Sequence, residues 1–150
     1  PENVGALIRI AAAFGASATV FGDGSVDPFS RRVLRVSMGN ALHMPVIEAA
    51  RLPPLLRRLT DDFDFEVCAT VLDETAKPLT SHAFRDRTVL LFGNEFDGLG
   101  DECRSACNIQ LTIPMSNGTD SLNVAISAGI FAYQYCSQTS QVQVGPSGAL

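Results

Sequence analysis

The chain has 150 residues, 46% of them hydrophobic, and a mean hydropathy of +0.16, which fits one domain with a real core and excludes disorder over most of its length. No apolar run approaches the roughly 20 residues that span a bilayer, and no basic-then-apolar signal segment opens the sequence, so a soluble, cytoplasmic protein is expected. Sixteen acidic residues against eleven basic ones give a net charge of −5, which is not the balance of a chain with general affinity for nucleic acid.

The elements alternate between helix and strand. Residues 4–14 carry apolar side chains at helical spacing and stop at Gly15. Residues 18–21 form a short apolar strand closed by Gly22-Asp23-Gly24. Asp27-Pro28 opens a helix that runs through Arg31, Arg32 and Arg35 to Ser37, and Gly39-Asn40 breaks it. Residues 44–47 are a short strand, and 52–59 a helix beginning at Pro53-Pro54. Residues 65–71 are β-rich, and Lys77-Pro78-Leu79 is a loop. Residues 88–92 form an apolar run of the buried parallel-strand type. A loop with three glycines follows over 93–100, then one or two helical turns over 101–106 and a strand over 109–113. Residues 115–120 are a polar loop, with Asp120 or Ser121 able to cap a long apolar helix over 121–135. The composition then turns to Gln, Ser, Gly and Pro, so residues 1–137 read as the domain and 138–150 as a mobile tail.

Such alternation implies an α/β fold, a mostly parallel sheet flanked by helices on both faces. Ligands in such sheets bind outside the carboxyl ends of the strands. The loops after Phe92 and Ile113 are two of those ends.

Charge is uneven along the chain. Residues 1–60 hold seven arginines against four acids, and residues 61–150 hold four basic residues against twelve acids. RNA contact, if present, is expected on the arginine-rich N-terminal part. The alternative is that these arginines are only solvated helix faces. Cys68, Cys103, Cys107 and Cys136 include no CxxC pair and have no histidine near in sequence, so they read as buried or free thiols and no metal is expected. His43 and His82 stand isolated and are expected at the surface or half-buried.

Three segments carry candidate chemistry. Gly93-Asn94-Glu95-Phe96-Asp97-Gly98-Leu99-Gly100 puts glycines after a buried strand, where backbone amides can approach a nucleoside closely; the same glycines also suit a plain strand-to-helix turn. It is neither GxGxxG nor a P-loop, which disfavours a doubly wound phosphate-cradling module. Ile113-Pro114-Met115 sets an apolar wall and a rigid turn at a strand end, with Ser121 and Asn123 in the first turn beyond, where they reach a ligand or merely satisfy backbone N–H groups. Asn3 and Arg9 lie at the start of the first helix. Arg9 is the one charge between Asn3 and Phe21, and needs an anionic ligand, a partner such as Glu95, or a path to solvent.

Taken together, NVG(x)3R(x)5G from Asn3 to Gly15, GNEFDGLG from Gly93, and IPM(x)5SLNV from Ile113 resemble the three motifs of the SpoU-type branch of the SPOUT RNA methyltransferases. The resemblance runs from Asn3 to about Tyr135, and the stretch from Asp27 to Gly39 also looks like the family's second helix and its exit.

The resemblance implies an S-adenosylmethionine-dependent enzyme that methylates a ribose 2'-oxygen of tRNA or rRNA. It implies a C-terminal trefoil knot and a homodimer whose active site is completed at the subunit interface. By motif position, Asn3, Arg9, Glu95, Ser121 and Asn123 would form the catalytic set, and Leu91, Gly93, Ile113, Met115 and Leu122 the cofactor-binding set. In the family the Arg9 equivalent is assigned as general base. A guanidinium stays protonated, with a pKa above about 12, so binding the RNA phosphate and the developing alkoxide is the role preferred here. Family members usually place a β-strand ahead of the Asn3 motif, so that strand and any N-terminal recognition domain are expected to be missing. The alternatives are a SPOUT enzyme acting on a tRNA base and a non-catalytic RNA-binding knot protein.

Overall fold

A computed structural model describes residues 1–94, 98–116 and 121–139. Helix α1 (Glu2–Ala13) leads into β1 (Thr19–Gly22), α2 (Arg31–Val36), a 3-10 turn (Asn40–Leu42), β2 (Val46–Ala49) and α3 (Leu52–Phe63). Strand β3 (Glu66–Thr70) is followed by β4 (Lys77–Pro78), a second 3-10 turn (Leu79–Ser81), β5 (Thr88–Leu91), α4 (Asp101–Ser105), β6 (Ile109–Thr112) and α5 (Val124–Thr139).

Every strand pair is parallel, as the alternation requires. One sheet pairs β1 with β2, with Thr19 opposite Val46, and the other runs β4-β6-β3-β5. Within the larger sheet β3 is central, and successive side chains point to opposite faces. Val67 packs with Leu56 of α3, Leu91 and Ala106 on one face, while Cys68 packs with Leu79, Leu111 and Phe131 of α5 on the other. A third apolar cluster joins Ile8 of α1, Phe21, Val33 of α2 and Ala41. α1 also packs against α5, and the buried Cys136 thiol donates to the Phe14 carbonyl at 3.4 Å.

The tightest helix contact depends on Gly5. A β-carbon built there would stand 2.6 Å from Val36 Cβ, so α1 and α2 meet at this separation only because residue 5 has none. α3 starts with Pro53 and Pro54 in its first turn, where their missing N–H groups cost nothing, and ends at Asp64 in the left-handed region, φ 55°. No helix among the described residues is long and apolar enough to cross a membrane.

Several boundaries differ from the sequence reading for identifiable reasons. Asp27 does not start a helix: its Oδ1 accepts the Phe29 N–H at 2.8 Å in a local turn, and α2 begins at Arg31. Lys77-Pro78, expected as loop, is an edge strand, a position where proline's missing donor is tolerated. α3 extends to Phe63 and α5 to Thr139, so Gln138 and Thr139 belong to the helix, while residues 140–150 lie outside the described ones. Gln138 is held there from both sides. Its Nε2 donates to the His82 carbonyl and its Oε1 accepts the Phe84 N–H, each at 2.9 Å.

Candidate active site

β5 and β6 both run parallel to β3 and flank it. Their carboxyl ends therefore open on the same end of the sheet, roughly 10 Å apart at two strand spacings. The two loops singled out in the sequence leave from there. At the mouth, the Thr70 hydroxyl donates to the Leu91 carbonyl at 3.0 Å, and the Val71 N–H to the Leu111 carbonyl at 2.9 Å. Thr70 was not anticipated. Its signal is weak, a single hydroxyl at the end of a buried apolar strand.

The loop after β5 is closed at its neck by two backbone hydrogen bonds. Asn94 N–H donates to the Gly98 carbonyl and Gly98 N–H to the Asn94 carbonyl, both at 3.1 Å. Gly98 sits at φ 65°, a conformation that costs glycine little. A β-carbon on Gly93 would stand 2.2 Å from the Gly98 carbonyl carbon and 2.6 Å from Leu99 N. Only glycine fits at Gly93, because the loop's own backbone at Gly98 and Leu99 occupies the space a side chain would take. Glu95, with residues 96–97 and 117–120, lies outside the described residues.

Of the apolar members of the predicted set, Leu91 ends β5 and Ile113 directly follows β6. Leu91 is buried in the core with α3, so only its backbone faces outward. Ile113 packs against the α5-side core, and Met115 and Leu122 are half-buried. Phe92 meets Phe131 of α5 edge to face, with centroids 5.9 Å apart, which fixes the strand end against the last helix.

Neither Asp120 nor Ser121 is placed as the cap of α5. Asp120 is outside the described residues, and Ser121 is exposed and makes no capping bond to a described residue. Asn123 fills that position: its Oδ1 accepts the N–H groups of Ala125 and Ile126 at 2.9 and 3.4 Å. Its Nδ2 donates to Asn3 Oδ1 at 3.0 Å. The structure thus shows Asn123 satisfying backbone N–H groups and also binding Asn3. The first and third motifs, 120 residues apart, touch through this bond.

Arg9 is exposed, and no hydrogen bond or ion pair joins it to another described residue. Along α1 it stands about 9 Å beyond Asn3 and roughly 120° around the axis. Asn3 and Arg9 therefore do not face the same point from one helix. A cleft of about 360 Å³ opens elsewhere, at the carboxyl ends of β1 and β2, and includes Asp23 and Glu48. Two carboxylates make it a poor receptor for RNA phosphate.

Comparison with known proteins gives this arrangement a class. The model of the SpoU rRNA Methylase family matches residues 1–133. An uncharacterized tRNA/rRNA methyltransferase of Mycobacterium tuberculosis is 39% identical over 136 residues, covering 89% of this chain and 47% of that relative. The 23S rRNA (guanosine-2'-O-)-methyltransferase RlmB of Acinetobacter baylyi is 34% identical over 141 residues, covering 92% and 56%. The crystal structure of an AdoMet-bound rRNA methyltransferase from Sinorhizobium meliloti superposes with a TM-score of 0.82 at 31% identity, covering 93% of this chain and 52% of that one. This chain belongs to the SpoU rRNA methylase family. It spans about half the length of the curated relatives it matches.

Proposed function

We propose that this chain is the catalytic domain of an S-adenosylmethionine-dependent RNA methyltransferase acting on a ribose 2'-oxygen. The observation that carries the reading is the Asn3–Asn123 hydrogen bond, which brings the ends of the first and third family motifs together beside the strand-end loops. Relatives named as 23S rRNA 2'-O-methyltransferases and an AdoMet-bound neighbour support it.

The residues present fit the cofactor. Gly93 lets the loop after β5 fold closely on itself at the strand end, where its main chain would contact the nucleoside, and Ile113, Met115 and Leu122 would supply apolar cover. Bound there, S-adenosylmethionine supplies a methyl group already activated by the sulfonium charge. The protein's work is then alignment and electrostatics, which together account for much of such a barrier reduction. Arg9 holds the RNA phosphate next to the reacting ribose and stabilises the oxygen as its proton passes to water. Asn3, Ser121 and Asn123 position the ribose and the cofactor, and Glu95 is left to orient Arg9. Retention of Asn3, Arg9 and Asn123 favours the ribose over a base. The 2'-hydroxyl distinguishes RNA from DNA, so the substrate is RNA, either tRNA or rRNA.

The surface supports local RNA contact. Arg9 on α1 and Arg31 and Arg35 on α2 are exposed, and no acidic side chain pairs with them among the described residues, whereas Arg85 and Arg104 in the acidic part are paired to Asp64 and Asp73. Ile126, Ile130 and Tyr133 form an exposed apolar stripe at helical spacing on α5, at 56%, 38% and 64% exposure. This supports a homodimer, which would also let an Arg9 turned away from Asn3 serve a site shared between two chains. A trefoil knot around α5 and cytoplasmic action belong to the same reading.

Calorimetric titration with S-adenosylhomocysteine tests the cofactor half, with micromolar binding expected. Methyl transfer to RNA that is lost on 2'-deoxy substitution of the target nucleotide tests the rest. Failure of a folded chain to bind, or methyl label recovered on a base, would overturn the proposal.

A further inference from the structure

A second polar cluster lies at the other end of the sheet. Glu66 and Cys68 are two apart on β3 and so share a face, and His82 follows the second 3-10 turn and packs onto that face. Cys68 is fully buried, His82 is 6% exposed, and the Glu66 side chain is 12% exposed. His82 thus departs from the surface or half-buried place expected of it, and it is not isolated. One carboxylate oxygen, Glu66 Oε2, stands 3.1 Å from His82 Nε2 and 3.7 Å from Cys68 Sγ. All three donor atoms lie within 4.8 Å of one another.

As protein alone the cluster is poorly satisfied. A thiol and an imidazole converge on a single oxygen, and His82 Nδ1 is buried with no hydrogen-bond partner. Burial and the Glu66 carboxylate push the Cys68 thiol upward, which keeps it neutral. A dipositive ion would reverse that balance, since a coordinated thiol loses its proton.

The spacing fits such an ion. With zinc–sulfur bonds of about 2.3 Å and zinc–nitrogen or zinc–oxygen bonds of about 2.0–2.1 Å, tetrahedral donors stand roughly 3.3–3.6 Å apart. Two of the three separations already lie within about 0.2 Å of that range. The third, between sulfur and nitrogen, lies within 4.8 Å, and ion binding would have to draw those two donors together. We propose that Glu66, Cys68 and His82 form a three-ligand site for a borderline-soft divalent cation, zinc, with water in the fourth position on the Glu66 side, which reaches solvent. Thiolate and imidazole select against calcium and magnesium.

The site lies away from the proposed methyl-transfer chemistry. Glu66 begins β3, while the proposed cofactor loops leave the opposite, carboxyl ends of the sheet. An ion there ties β3 to the 82–84 segment, which Gln138 of α5 already clamps. Sequence spacing gave little sign of it: Glu-x-Cys is no zinc motif, and the third ligand comes 16 residues later.

The test uses the purified chain, stripped with chelator and titrated with Co2+ and then Zn2+. One equivalent of cobalt should give a thiolate-to-cobalt charge-transfer band with tetrahedral d–d absorption, displaced by one equivalent of zinc. Cys68→Ala should abolish the band, and His82→Gln should lower zinc affinity at least about tenfold, the scale of losses at metal sites. The Cys103→Ala, Cys107→Ala double variant should keep the band. If Cys68→Ala does not fold, the wild-type and double-variant spectra decide alone. A wild type without the band, a band lost in the double variant, or zinc content unchanged in folded Cys68→Ala would reduce the trio to a buried hydrogen-bonded group and overturn the proposal.

Discussion

Asn123 Nδ2 donates to Asn3 Oδ1 at 3.0 Å, while the Oδ1 of the same Asn123 caps α5. One amide thereby orients the last helix and joins it to the first. Asn123→Ala should cost about 1 kcal/mol of stability through the lost cap, or roughly 3 °C in melting temperature. Asn123→Ser restores a capping oxygen but is too short to reach Asn3. It should recover most of the melting temperature and still leave methyl transfer impaired. Full activity in Asn123→Ser would show that the cap alone matters.

Arg9 contributes little to the fold, being exposed and unpaired among the described residues. Arg9→Ala should leave the melting temperature within about 1 °C of wild type, as surface changes do. It should lower kcat by about 100-fold or more while S-adenosylhomocysteine affinity holds. Arg9→Lys keeps the charge but loses the planar fork. Near-full activity in that variant would rule out two-pronged phosphate binding.

At Gly93 the neighbouring backbone leaves no room for a methyl group, with the Gly98 carbonyl carbon 2.2 Å from its built position. Gly93→Ala should distort the loop neck and weaken S-adenosylhomocysteine binding at least about tenfold, equivalent to about 1.4 kcal/mol. Gly100→Ala is the control, since nothing lies within 4 Å of its built β-carbon. Equal affinities for the two variants would remove Gly93 from the cofactor site.

Cys107 is pushed up to about 11, first by burial and then by Cys103. Its thiol also donates to the Cys103 carbonyl at 3.1 Å. Because the folded-state value lies above the unfolded one, the contribution to stability is fully present below about pH 9 and is lost as pH rises toward 11. Melting temperature should fall across that window, and less so in Cys107→Ala. At pH 8, alkylation of Cys107 should be slow in the native chain and fast after unfolding.

The α5 stripe gives a prediction about assembly. Tyr133 is 64% exposed, so Tyr133→Glu should leave the fold intact. If the stripe is a subunit interface, sedimentation should report the mass falling from about twice 16.0 kDa to that of one chain. A wild type that is monomeric at assay concentrations would sink the shared-site reading of Arg9.

Much of the architecture was readable in advance. The parallel α/β order followed from strands at 18–21, 65–71, 88–92 and 109–113 alternating with apolar helices, and each appears within a residue or two. Boundaries moved where local chemistry outweighed pattern. Asp27 spends its carboxylate on a turn, Asn123 rather than Ser121 caps α5, and Pro78 finds the edge of a sheet where a donor is not needed. The Gly93 loop and the Ile113 turn were identifiable because glycine and proline mark backbone demands directly.

By itself the sequence determined the class of fold and the family, because periodicity and motif spacing are local properties. Tertiary structure decided which distant groups meet. Asn3 reaches Asn123 only because α1 packs against α5, and His82 joins Glu66 and Cys68 only because the second 3-10 turn folds onto one face of β3. Those meetings depend on strand order and helix packing, which a period of 2 or 3.6 residues does not encode.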